Sequence, residues 1–188
     1  MIHDMKEQQS PLRLRKKHGD GSQRDVTAAD GGRLVQRQSV RAGIMAGLIV
    51  IIVFSILWVM VTDLFGTVYP WATVILGYLV GHAVQRAGKG VDWWFALIGA
   101  ILTLAGSVLA NVVLAASMSA EQIGSTTMNV LRDASFETWL FFFGVDWNTA
   151  DTAFAVFASA VAAFYSMRRL DRDEYYALRL WREGGARE

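Results

Sequence analysis

Residues 77–113 read GYLVGHAVQRAGKGVDWWFALIGAILTLAGSVLANVV, two apolar runs joined by a basic turn, QRAGKGVD. The uncharged runs extend beyond this stretch, from Leu64 to Gln85 (His82 counted as neutral) and from Trp93 to Ala120. A third runs from Ala42 to Thr62. Each reaches the roughly 18–20 residues that a helix needs to cross the hydrocarbon of a bilayer. A soluble helix of that length would carry a polar stripe, and these carry none. The stretch therefore predicts a transmembrane helical hairpin around which the rest of the chain packs.

The expected fold class is all-α: an integral membrane four-helix bundle with a short interfacial helix and a disordered N-terminal tail. The spans fall at about 42–63, 67–86, 92–118 and 150–168 within a membrane domain of residues 41–169. The last is short, but Asp151 and Arg168 bound it at the two headgroup levels. The third is long, and must tilt or protrude. Between the third and fourth spans, residues 119–149 form the one sizeable segment expected on the far side. There Ser119 is expected to cap a helix through about Arg132, and Ser135 a second that stops at Gly144. FETWLFFFGV, from Phe136 to Val145, is too short to span and apolar enough to lie in the interface.

Residues 1–40 read as a polar, basic, largely disordered tail, with a helix starting near Asp30 and running on through Arg33, Arg37 and Arg41. Its cluster Leu12–Lys17 reads as solvated charge. The first apolar run lies behind this tail, which suits a signal anchor better than a cleaved leader. Residues 170–188 read as an amphipathic tail with Leu170, Ala177 and Trp181 on one stripe, expected along the membrane or on a partner.

At 188 residues the chain allows one domain plus a tail. Its net charge of +1 says little; the placement of charge says more. Lys and Arg are retained in the cytoplasm. Arg33, Arg37 and Arg41 precede the first span, Arg86 and Lys89 fill the GKG turn, and Arg168, Arg169 and Arg172 follow the fourth. The opposite loops hold Arg132 alone. The expected localisation is a bacterial inner membrane, multi-pass, with both termini cytoplasmic.

Helix packing is expected at small residues. Gly43 and Gly47, and Gly77 and Gly81, stand four apart, and Gly99 and Gly106 continue the theme on the third span. Such positions let helices approach closely. The spacing predicts a tight seam between the second and third spans, with Gly77, Gly81, Gly99 and Gly106 in it. Asn111 is expected to bond across to another helix. In the turn, Arg86, Gly88, Lys89, Gly90 and Asp92 are singled out, with Asp92 expected as the N-cap of the third span.

The segment Val80–Asp92, VGHAVQRAGKGVD, with Phe95, Gly99-Ala100, Leu104-Ala105-Gly106 and Ala110-Asn111 after it, resembles a family of small bacterial multi-helix membrane proteins. Their pattern is VGxAVRxxGKGxD, then F, GA, LG and GN, and Ser135–Gly144 is similar to their short "dllFy"-like segment. Gln85, Ser107 and Ala110 depart from that pattern. The resemblance implies architecture and no chemistry.

Composition narrows the chemistry. With no cysteine, disulfides, thiolate catalysis and cysteine metal sites are excluded. GKG lacks the upstream glycine and the following Ser or Thr of a phosphate-binding P-loop. No liganding spacing is present among the far-side acids Glu121, Asp133, Glu137, Asp146 and Asp151. No metal, cofactor or nucleic acid is expected. His82, the one ionisable side chain well inside an apolar run, is a weak functional candidate, expected to be hydrogen-bonded at the cytoplasmic interface. The function expected is a non-enzymatic membrane protein packing with itself or with other membrane subunits as an assembly, scaffold or accessory component. Its partners would be the lipid bilayer, further copies of the chain or those subunits. The alternative is a small oligomeric transporter or channel.

Overall fold

A computed structural model describes residues 26–185, apart from the side chains of Val145 and Asp146. The cluster Leu12–Lys17 lies outside those residues. The described residues form eight α-helices and one π-helical turn, with no strand. In order these are α1 (Ala28–Gln36), α2 (Val40–Phe65), α3 (Ala72–Gly88), α4 (Trp94–Ile123), α5 (Thr127–Asp133), α6 (Phe136–Phe141), the π turn (Phe142–Asp146), α7 (Thr149–Ser166) and α8 (Arg172–Gly185). Three of them, α2, α4 and α7, are long and apolar enough to cross a membrane.

Capping chemistry sets most of the helix ends. Ser39 Oγ accepts from the Ala42 N–H at 3.2 Å to open α2, and Gly66 closes it at φ 63°, a left-handed position that favours glycine. Asn148 and Asp151 cap α7 reciprocally, side chain to backbone, at 3.0 and 3.2 Å. Thr126 caps α5 and Ser135 caps α6. The helix expected to start at Ser119 does not: α4 keeps its hydrogen-bonded register to Ile123, where Gly124 stops it at φ 64°. Gly144 lies inside the π turn and does not end α6. The second expected span begins later than residue 67, because Pro70 and Trp71 form a turn and the Pro70 carbonyl accepts from Thr73.

Helices α2, α3, α4 and α7 pack side by side, and α3 and α4 each pack more extensively on α7 than on one another. The glycines explain this arrangement and correct the expected seam. A methyl group at Gly77 would overlap the Ala158 carbonyl of α7. One at Gly81 would come within 2.8 Å of Tyr165 Cβ and 2.9 Å of the Ala162 carbonyl oxygen, and one at Gly99 would strike Ser166. All three glycines therefore face α7. Gly106 faces Ile51 of α2, at 2.8 Å from its Cγ1. Gly43 meets Gly88 and Val84, and Gly47 meets Leu102 and Val84, so the GxxxG face of α2 lies over α3 and α4. On α7, Ala155, Ala158 and Ala162 are at most 1% exposed and form the flat side that these glycines receive. The core at the centre consists of Ile51, Leu76, Val80, Val84 and Phe95.

The two flanking segments also differ from the expected tails. The chain breaks at Arg37–Ser39, so α1 is separate from α2. The C-terminal helix α8 packs against α1. Gly31 abuts the Ala177 backbone, and Gly32 meets the Trp181 ring. Ala177 and Leu178 are buried. Gly31 and Gly32 are thus the surface that lets two amphipathic helices touch.

Candidate functional site: the GKG turn and the basic cleft beside it

The turn between α3 and α4 is a junction for four separate parts of the chain. The Gly88 carbonyl oxygen accepts from the Ser39 N–H at 2.9 Å, and the Gly90 carbonyl accepts from the Arg168 N–H at 2.8 Å. Gln38 grips the turn twice, accepting from the Val91 N–H at 3.1 Å and donating to Asp92 Oδ2 at 3.0 Å. Arg182 of α8 donates to Asp92 Oδ1 at 2.9 Å. The expected role of Asp92 as N-cap is thus corrected. Its carboxylate bridges Gln38 and Arg182, and α4 starts two residues later without a side-chain cap.

Gly88 and Gly90 are required by space, because the Phe95 ring lies flat against both and leaves no room for a Cβ. Lys89 between them sits at φ 49°, ψ 34°, in the left-handed region. For a residue with a Cβ that conformation costs about 1–2 kcal/mol. The backbone accepts this because its neighbours on each side are hydrogen-bonded or packed.

Beside the turn opens a cleft of about 660 Å³ lined by Arg37, His82, Gln85, Arg86, Lys89, Tyr165, Arg168 and Arg169. Five of these side chains are cations and none is an acid. Arg168 is anchored at both ends, by its backbone on Gly90 and by a 2.6 Å ion pair to Glu174 of α8. Gln85 Nε2 donates to the Met167 carbonyl at 2.8 Å, tying α3 to the end of α7. Arg169 stands over the Phe164 ring at 5.3 Å. Among the described residues, Arg37, Arg86, Lys89 and Arg169 make no ion pair.

His82 lies at the inner wall of this cleft, half-buried, with its ring 4.5 Å from Tyr78 and 5.0 Å from Tyr165. Its Nδ1 is buried and has no hydrogen-bond partner among the described residues. Tyr78 meets its ring edge-on and Tyr165 at a tilt, and neither supplies that nitrogen with a hydrogen bond.

The other singled-out residues do not join this site. Gly43, Gly47, Gly77, Gly81, Gly99 and Gly106 are packing positions distributed along three helices. Asn111 does not reach across the bundle: its Nδ2 donates to the Ser107 carbonyl on its own helix at 3.0 Å. It faces a second cleft at the other end of the bundle, together with Phe142, Trp147 and Asp151. Among the described residues no group of three or more His, Asp or Glu could hold a metal ion.

Sequence reasoning missed Arg37, Gln85, Tyr165, Arg168 and Arg169 as members of one site. One signal was available, since His82 and Arg86 stand one helical turn apart and Gln85 shares their face. The remaining members arrive from α7 and from the α1–α2 link, which no spacing could reveal. No family model, curated protein or solved structure matches the chain.

Proposed function

We propose that this chain is a non-enzymatic integral membrane protein of four spanning helices, α2, α3, α4 and α7. Both termini lie on the cytoplasmic side of a bacterial inner membrane. It serves as an assembly or accessory component that packs with further copies of itself or with other membrane subunits. The observation that carries the reading is the outward face of α2. Met45, Leu48, Ile49, Ile52, Val53, Ile56, Leu57 and Met60 are all exposed along a helix with no charged residue between Arg41 and Asp63. Water would penalise such a surface at roughly 25 cal/mol per Å², whereas lipid or another apolar helix would not. The gathering of Arg37, Arg86, Lys89, Arg168 and Arg169 at one end supports the orientation.

The packing of the interior weighs against the transporter or channel alternative for a single copy. Ser55, Ser107 and Ser166 are buried, and each hydroxyl donates to a carbonyl of its own helix. Between the two end clefts, Gly77, Gly81 and Gly99 close directly onto α7. A polar path would need more free side chains than Thr62 and Thr103, the two buried hydroxyls without a partner among the described residues.

Topology is tested with single cysteines at Ser125 and Gly184 in the cysteine-free chain, labelled in intact cells with an impermeant thiol reagent. Labelling at Ser125 and protection at Gly184 is expected; the reverse pattern overturns the orientation. Assembly is tested by the mass of the protein extracted in mild detergent. A species no heavier than one chain plus its detergent would overturn it.

A further inference from the structure

We propose that the basic cleft binds a phosphate-bearing anion, held by Arg37, Arg86, Lys89, Arg168 and Arg169 with His82 at its inner wall. Among the described residues, Arg33 pairs with Asp30, Arg179 with Glu183 and Arg182 with Asp92. Five cations line the cleft with no acid among its lining residues, and of the five only Arg168 has a carboxylate partner among the described residues. Like charges brought together repel one another, and the repulsion is relieved when an anion enters between them.

Retention of positive charge on the cytoplasmic side explains cations at this end of the bundle in general. It does not explain why these converge on one concavity from three parts of the chain. A phosphate group answers this convergence, with oxygens enough to accept from several guanidinium groups at once. The cleft, at about 660 Å³, has room for a phosphate together with the group it is esterified to. Two walls are fixed before any ligand arrives. The Gln85 to Met167 bond and the Arg168 to Gly90 bond tie α3 and the GKG turn to the end of α7. The same chemistry is available from an anionic phospholipid headgroup and from a free phosphate, and the cleft lies where either could reach it.

The test uses the full chain purified in a phosphate-free, nonionic detergent. One arm adds phosphatidylglycerol and counts retained lipid by native mass spectrometry. The other titrates inorganic phosphate and follows the melting temperature. Each arm compares the parent with Arg86→Gln/Arg169→Gln, with Arg86→Gln/Lys89→Gln and with a control of equal charge outside the cleft, Arg41→Gln/Arg132→Gln. At about fivefold per cation, either cleft pair should weaken binding by about 25-fold, with the control close to the parent. Binding in the first arm identifies a headgroup, and binding in the second alone identifies a free phosphate. The proposal is overturned if neither probe binds the parent, or if both cleft pairs bind as tightly as the control. The lipid arm rests on the membrane placement proposed above. The phosphate arm does not, so a failed topology and a failed binding site are read apart.

Discussion

Adding one methyl group at Gly77 should loosen the bundle even though alanine is the better helix former. Two effects oppose each other. Replacing glycine by alanine inside a helix gains roughly 0.5–1 kcal/mol from backbone entropy. Against it, the new Cβ would overlap the carbonyl carbon and oxygen of Ala158. Backbone atoms of a packed helix cannot swing aside as a side-chain tip can, so α3 and α7 must separate locally. Overpacking of this kind typically costs about 1–3 kcal/mol. The net expectation is a loss of about 1–2 kcal/mol. At roughly 2–4 °C per kcal/mol for a chain of this size, the melting temperature falls by several degrees. Gly184 in α8 supplies the control, since a methyl group there meets nothing within 4 Å. Gly184→Ala should leave the melting temperature unchanged or slightly raised. The assay is thermal unfolding of purified variants in one detergent, followed by helical circular dichroism. Because the obstacle is backbone, Ala158→Gly should fail to rescue Gly77→Ala. If Gly77→Ala melts at or above the parent, or is rescued by Ala158→Gly, the close approach of α3 to α7 is not as described.

Gly31→Leu should prise α8 off α1, because its side chain would enter the Ala177 backbone; trypsin cleavage at Arg172 or Arg179 should accelerate while the bundle stays intact. Asp92→Ala removes the acceptor for both Gln38 and Arg182 and should destabilise by about 1–3 kcal/mol, seen as faster hydrogen exchange through residues 88–92. Lys89→Gly relieves a left-handed residue carrying a Cβ and should raise stability by about 1 kcal/mol, measured as a higher melting temperature. Asn111→Ala should change stability by less than about 0.6 kcal/mol, below the lower range for a bond between membrane helices, because its donor serves its own helix.

The long apolar helices are the part of this fold that the sequence declares openly. An uninterrupted run such as Ala42–Thr62 has few structural options, and α2 covers it with two residues to spare at its start and three at its end. The glycine positions were also visible, but not their partners. Gly77 and Gly81 repeat on α3 in a way that marks a close approach, yet the same spacing serves a neighbour in sequence and a neighbour in space equally well. The partner turned out to be α7, whose alanines carry no distinctive signal. Asp92 shows the same limit at the turn. An aspartate just ahead of an apolar helix is a standard cap, and what displaced that role was Gln38 and Arg182, each more than fifty positions away in the chain. The basic cleft was legible only as a tally of charge on one side of a membrane; its concavity needed the end of α7 to meet the end of α3. Hydropathy gave no reason to pair α1 with α8, since both are polar on average, and only the amphipathic stripe of Ala177 and Trp181 hinted at a companion.

The groove formed by Gly77, Gly81 and Gly99 has a bearing on how the chain is made. These three residues emerge from the ribosome long before α7, the helix that covers them. Until Thr149–Ser166 arrives, α3 and α4 present an unfilled trough to whatever surrounds them. The same delay applies to Gly90, whose carbonyl waits for Arg168, and to Gly31, which waits for Ala177. Early segments are thus left incomplete in three places, and one late stretch of chain finishes all of them. A chain halted before α7 would keep its most adhesive faces open, a ready substrate for quality-control proteases and a ready acceptor for the α7 of another copy.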